Sequence, residues 1–300
     1  GVILEVLQKR KEFSGHSAPI YAICSDDSNL YSASGDKFVC RWNKQLGTQD
    51  GFTVKLENTP LSLCLLTGSK LLLIGTNNGG IHVIDVDQKK EIADLKAHFF
   101  GVFYLLENQT RKHFYSADAN GKLCVWSSES LSLQLEIPTN SGKIRRLHLF
   151  DDDKFIALAC EDGRIRIFDT LYFNEVSSWP AHNLACTSLL VLNDSTFVSG
   201  GKDALLNVWD KDTKINSRSL KAHNYVLYDM ISLCNGAVLA TASRDKSIKL
   251  WDTTSWKVIS KIDLKNGGHK HSVNALLKQN EYSFVSCSDD AKMIEWHLNF

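Results

Sequence analysis

Ser199, His182 and Asp203 are the residue types of a hydrolytic triad: a nucleophile, a base and a carboxylate to orient it. The same three types recur elsewhere in the chain, each time beside a tryptophan, and a catalytic set has no reason to be repeated. A nucleophile also needs an oxyanion hole and a Gly-x-Ser-x-Gly elbow, and neither is visible. His269-Lys270-His271 with Cys287 has the chemistry of a metal site, because histidines two apart on a strand share one face. Gly75-Thr76-Asn77-Asn78-Gly79-Gly80 has the glycines of a phosphate cradle, but neither Lys-Ser/Thr nor a helix follows, so it reads as a hairpin turn. We expect no catalytic residues, no metal and no cofactor.

The elements that would have to position these residues are set by a repeat. Trp42, Trp126, Trp209, Trp251 and Trp296 are spaced by 84, 83, 42 and 45 residues. Placing members midway gives Ile84 and Phe168, both inside look-alike segments, and a series with steps of 42, 42, 42, 41, 42 and 45. Seven units of about 42 residues therefore fill the chain. Each unit has a short apolar run, then a turn, then a period-two run. The turns are Asn78-Gly79, Asn120-Gly121 and Asp162-Gly163, with Asp-Lys or Asp-Ala in the other four. Asp/Asn-Gly between β-rich runs signals a tight hairpin that needs positive φ. Val39, Ile81, Leu123, Ile165, Leu206, Ile248 and Met293 stay in register with the tryptophan series, and helical periodicity is absent.

The predicted fold is all-β: a seven-bladed β-propeller of four-stranded antiparallel sheets, in one domain spanning 1–300. Only His297 to Phe300 follow Trp296, so the last unit lacks a fourth strand. Gln8 to Phe13 matches the other fourth strands and is expected to complete blade seven. Lys9-Arg10-Lys11 within it reads as a charged, protected edge.

Composition narrows the function classes. Lys+Arg 34 equals Asp+Glu 34, so no basic surplus supports nucleic-acid binding. Hydrophobic content of 43 % and charged content of 23 % fit a folded chain. No apolar run approaches the ~20 residues of a membrane span, and no secretory signal is visible. The eight cysteines lie in strand-like runs without a CxxC pair and read as small buried hydrophobes in a reducing, cytoplasmic compartment. The sequons at Asn108 and Asn193 are then chance matches.

The chain resembles the WD-repeat family of β-propellers along its entire length. The resemblance is carried by Gly15-His16, Ala97-His98, Ala181-His182, Ala222-His223 and Gly268-His269, and by Trp209-Asp210 and Trp251-Asp252. It implies a buried His–Ser/Thr–Asp–Trp group in each complete blade. These would be His16, Ser32, Asp36 and Trp42; His182, Ser199, Asp203 and Trp209; His223, Thr241, Asp245 and Trp251; and His269, Ser286, Asp290 and Trp296. In each set the hydroxyl precedes the Asp by four residues and the Trp follows it by six. Blade three keeps His98, Ser116 and Trp126 with Asn120 in the Asp position. Blades two and four lack the group and are expected to rely on apolar packing. His269 is thereby assigned away from any metal.

The resemblance further implies a non-catalytic scaffold that binds a protein or peptide on the top rim, as a monomer or a subunit of a larger complex, with no nucleic acid and no membrane. The alternative is a propeller enzyme, a hydrolase or lyase acting at the central channel. Rim positions five residues after the His give Tyr21, Ser62, Phe103, Arg145, Thr187, Tyr228 and Asn274. Those before the turn Asp include Glu161, Lys202, Arg244 and Asp289, and Lys143 and Val226 join from the start of the inner strand. Tyr21, Phe103 and Tyr228 would be anchors; Arg145, Lys202 and Arg244 would read acidic or phosphorylated groups. Arg41 and Glu295, polar where five repeats are apolar, are expected to face each other or share a partner.

Overall fold

The computed structural model describes residues 6–300; residues 1–5 of the expected domain lie outside them. The described residues form seven four-stranded antiparallel sheets. Blade one runs Ile20–Ser25, Asn29–Ser34, Phe38–Asn43 and Gln49–Lys55. Blades two to six repeat this order, and each inner strand contacts the next, with Ile20–Ser25 meeting both Pro60–Leu65 and Val273–Asn280 to close the ring.

Closure follows the sequence expectation. Leu7–Ser14 pairs with Lys292–Leu298 as the fourth strand of blade seven. A bulge between Lys9 and Lys11 shifts the register by one residue. Leu7 and Phe13 would otherwise share a face; the bulge turns them to opposite faces. Leu7 packs in a cluster with blade-six residues such as Leu233 and Ile248. Phe13 meets Trp42 of blade one edge-on, with ring centroids 6.1 Å apart. One strand thus buries an apolar side chain against each neighbouring blade. On its edge, Lys9 pairs with Glu12 and Lys11 with Glu295.

The core lies between successive sheets, where period-two alternation puts apolar side chains on both faces of each middle strand. Tyr115, Leu123 and Val125 of blade three pack with Ile144, Leu158 and Phe168 of blade four, and the same pattern recurs around the ring. Five cysteines are buried, while Cys24, Cys64 and Cys234 are half-buried, and all eight are unpaired thiols. Asn108 is buried, and its side-chain amide donates to Tyr115 Oη and to the Asp153 carbonyl.

The turns between second and third strands have the predicted backbone. Gly79, Gly121 and Gly163 sit at φ 94°, 84° and 85°, while Lys37, Ala204, Lys246 and Ala291 hold the left-handed position in the other blades. The Gly75–Gly80 segment is one of these hairpins.

Candidate functional site

Two kinds of side-chain constellation stand at the end of the ring where chain enters the inner strands, here called the top. The first is structural. In blade five, His182 Nδ1 lies 3.0 Å from the Asp203 carboxylate, His182 Nε2 lies 2.9 Å from Ser199 Oγ, and Trp209 Nε1 donates to Ser199 Oγ at 2.9 Å. An indole can only donate, so Ser199 Oγ accepts from it and gives its own proton to Nε2; the imidazole then carries its proton on Nδ1 and donates to Asp203. Ser199 is fully buried between two partners and has neither exposure nor a proton free for nucleophilic work.

Blades one, six and seven hold the same chain of donors. His16 lies 2.8 Å from Asp36 and 2.7 Å from Ser32, with Trp42 donating to Ser32. His223 lies 2.9 Å from Asp245 and 2.8 Å from Thr241, with Trp251 donating to Thr241. His269 lies 2.9 Å from Asp290 and 2.7 Å from Ser286, with Trp296 donating to Ser286. Both nitrogens of His269 are therefore engaged by protein groups.

Blade three corrects the sequence expectation. The carboxylate is Asp118, not Asn120: His98 Nδ1 lies 2.8 Å from Asp118 Oδ2 and Nε2 lies 2.6 Å from Ser116. Asp118 is two residues after Ser116 on one strand, hence on the same face, and reaches the same imidazole from there. Its other oxygen accepts the backbone N–H groups of Asn120 and Lys122 that a turn Asp would otherwise serve.

Blade four is corrected in part. Arg166, at the centre of its sheet and 9 % exposed, forms a two-point pair with the exposed Asp162 at 2.6 and 3.0 Å, so an ion pair with one buried partner stands in place of the missing group. Burial pushes the Asp162 carboxyl up, but hydrogen bonds from Arg166 and the Arg164 N–H outweigh it and hold the pKa below the usual range. In blade two, Thr76 Oγ1 donates to Asn78 Oδ1 at 2.5 Å beside an otherwise apolar strand. Arg41 and Glu295 do not share a partner: Arg41 pairs with Asp50 at 2.6 Å, and Glu295 with Lys11 at 3.7 Å.

The second constellation is the rim. Every inner strand carries a one-residue bulge, between Ile20/Ala22, Pro60/Ser62, Val102/Tyr104, Ile144/Arg146, Cys186/Ser188, Leu227/Asp229 and Val273/Ala275. The bulged residues are Tyr21, Leu61, Phe103, Arg145, Thr187, Tyr228 and Asn274. A bulge re-aims its side chain out of the ladder, which makes these positions a ring around the channel mouth. Blade two therefore contributes Leu61. Ser62, expected there, lies one step further in and donates to the Val102 carbonyl at 2.8 Å. Without a histidine to count from, the sequence reading was off by one residue.

The rim residues do different things. The single proton of Thr187 Oγ1 is shared between the Gly200 carbonyl and, more closely, that of Leu227 on the next blade. Asn274 donates to the Ile20 carbonyl and to Asp289, each at 2.8 Å. Both staple neighbouring strands. Lys143 Nζ and the Arg145 guanidinium lie 4.3 and 5.5 Å from the centroid of one ring, Phe103. Burial lowers the pKa of Arg145 and Arg146 adds repulsion, against the attraction of Tyr228 and Glu161. Tyr21 is 36 % exposed, Lys202 and Arg244 are exposed, and Arg244 lies over Tyr225 rather than Tyr228. Tyr225, Phe99 and Leu184 on the entry loops are exposed apolar neighbours that the counting rule missed.

Below the rim the channel is crossed. Arg146 of blade four donates to the Asn274 carbonyl of blade seven at 3.2 Å, faces Asp229 of blade six at 3.7 Å, and lies 5.3 Å from the Tyr104 ring of blade three. Asp229 also accepts the N–H groups of Leu276 and Met230, while burial raises its pKa against the pull of Arg146. Cavities of about 130 and 220 Å³ share Tyr104, Arg146 and Asp229 as walls. A larger groove of about 780 Å³ lies between blades one and two. It arises where Gln49–Lys55 carries two extra residues opposite Arg41. Lys55, Lys89, Lys90 and Lys96 there stand beside Glu57, Glu91 and Asp94, and Glu91 pairs with His82.

Comparison with known proteins agrees with this geometry. The WD domain, G-beta repeat family matches residues 7–43, 173–210 and 215–252. Three segments of this chain thus match WD40 repeats. WD repeat-containing protein 55 of Bos taurus is 22 % identical over 297 residues, covering 94 % of this chain and 77 % of that protein. The Rattus norvegicus protein of the same name is 21 % identical, covering 82 % of this chain and 65 % of its own length. A solved structure, the WD40 beta propeller domain of Doa1, superposes with a TM-score of 0.83 at 19 % identity, covering 98 % of this chain and 97 % of that one. The repeats thus sit on a seven-bladed propeller.

Proposed function

We propose that residues 1–300 form one domain, a non-catalytic scaffold in the reducing cytoplasm that binds a partner protein or peptide on its top rim, and not an enzyme acting in the channel. The observation that carries this reading is the set of seven bulges at matching positions of the inner strands, four of which leave Tyr21, Phe103, Arg145 and Tyr228 exposed or half-buried. Tyr21, Phe103 and Tyr228 supply rigid aromatic area, and Arg145, Lys202 and Arg244 supply donors, the residue types enriched at binding hot spots. The triad-like sets are already saturated by hydrogen bonds, which favours the scaffold over the hydrolase alternative. The eight unpaired cysteines support a reducing compartment. Among the described residues, no helix is long and apolar enough to cross a membrane. The test is capture of partners from the native cell by the wild-type chain and by a Tyr228→Ala/Arg244→Ala variant of equal thermal stability. Loss of specific partners is expected; retention of all of them would place binding elsewhere.

A further inference from the structure

Lys143 and Arg145 are two cations held against one aromatic ring at a half-buried position. Stacking on the ring face offsets part of the cost of partial desolvation and fixes where the charges point. Among the described residues, no ion pair uses Lys143, Arg145, Lys202 or Arg244, whereas Arg41, Arg146 and Arg166 deeper in the blades all have carboxylates. One neighbouring acid, Glu161, accepts the backbone N–H of Lys143 at 2.9 Å and attracts both cations without forming an ion pair with either, leaving four cations against it. In a chain of zero net charge this is a local positive excess over blades four to six. Exposed apolar side chains on the entry loops of blades five and six accompany it: Leu184 at 51 % exposure and Tyr225 at 59 %. The contacts of Arg146 with Asp229 and Tyr104 cross the channel beneath it.

We propose that this sector takes the side-chain carboxylates of an acidic, apolar-interrupted segment of a partner polypeptide, which lies across the mouth and does not thread the channel. The proposal rests on the rim being the partner surface and adds the chemistry of what it holds. The cations are spread over successive blades rather than gathered into one fork. That suits separate carboxylates along a chain better than a single phosphoryl group, which calls for convergent donors. The apolar neighbours then receive the residues between the acids.

The experiment measures fluorescence anisotropy of a labelled hexapeptide of alternating Glu and Phe against the whole chain. Its Lys-Phe counterpart and a peptide with phosphotyrosine in place of Glu serve as comparison probes. The Glu-Phe peptide is expected to bind, to weaken with added salt, and to lose about tenfold or more in affinity in Lys143→Ala/Arg145→Ala. Lys221→Ala, on an outer strand, should leave it unchanged. Binding of only the phosphotyrosine probe, equal binding of the Lys-Phe probe, or undiminished binding by the double variant would overturn the proposal. If the Glu-Phe peptide fails while the Tyr228→Ala/Arg244→Ala variant still loses partners, the carboxylate assignment falls and the rim reading stands. If partner capture survives the rim substitutions as well, both fall.

Discussion

At the scale of the residue, the buried His–Ser/Thr–Asp–Trp chains are satisfied donor by donor, and removing a member strands the rest. Asp118 is the informative case, because counting from Ser116 pointed to Asn120. The fixed offset of four residues describes blades one, five, six and seven; in blade three, strand parity lets a carboxylate two residues on serve the same imidazole. Asp118→Ala is expected to cost about 1–3 kcal/mol and to lower the melting temperature measurably, whereas Asn120→Ala should cost less. Equal effects would return the role to Asn120. Acid sensitivity follows from the same burial. Burial lowers the pKa of His148 to about 4, and its Nε2 accepts the Val191 N–H at 3.1 Å. The unfolded chain takes up that proton below about 6.5, so stability present above that value is lost as pH falls toward 4. Asp36, Asp118, Asp245 and Asp290 are pushed up by burial, but hydrogen bonds led by their histidines hold them below the usual range. Their contributions disappear at still lower pH. Melting curves from pH 7 to 4 should show the first loss, and His148→Gln should remove part of it.

At the scale of the element, the hairpins, the closing strand and the period-two faces were legible because each is written in local sequence. Turn dipeptides, alternation and a 42-residue period need no knowledge of neighbours. What was not legible depends on contacts between blades. Gly163 shows the difference: sequence marks it as a turn residue, but its packing is set by the next blade. A Cβ there would lie 2.2 Å from the His182 carbonyl, and one at Gly79 would lie 2.2 Å from that of His98. Gly163→Ala is therefore expected to destabilise more than the ~1 kcal/mol usual for an unfavourable turn conformation, because backbone must move. Chemical denaturation of Gly163→Ala beside Gly68→Ala, whose Cβ meets open space at a similar φ, isolates the clash from the backbone strain. Similar losses would show that φ alone matters. The bulge at Leu61 was missed for a related reason: register is set by pairing with Leu71–Thr76, not by any residue type at the site.

At the scale of the whole molecule, the ring brings seven local bulges to one end, where Thr187 and Asn274 staple strands and Tyr21, Phe103, Arg145 and Tyr228 keep exposed or half-buried side chains. Arg146 reaches across the axis to blades three, six and seven, a connection between residues up to 128 positions apart that no spacing argument could find. Two cavities of about 130 and 220 Å³ share that bar as a wall, and the proposed partner surface is the mouth, where the rim side chains and the exposed loop residues lie. The most direct measurement of this account is hydrogen-exchange footprinting of the chain with and without a captured partner. Protection is expected at the bulged starts of the inner strands, around Phe103, Arg145 and Tyr228, and on the entry loops at Leu184 and Tyr225. Protection confined to the outer strands or to the groove between blades one and two, with the rim unchanged, would contradict it.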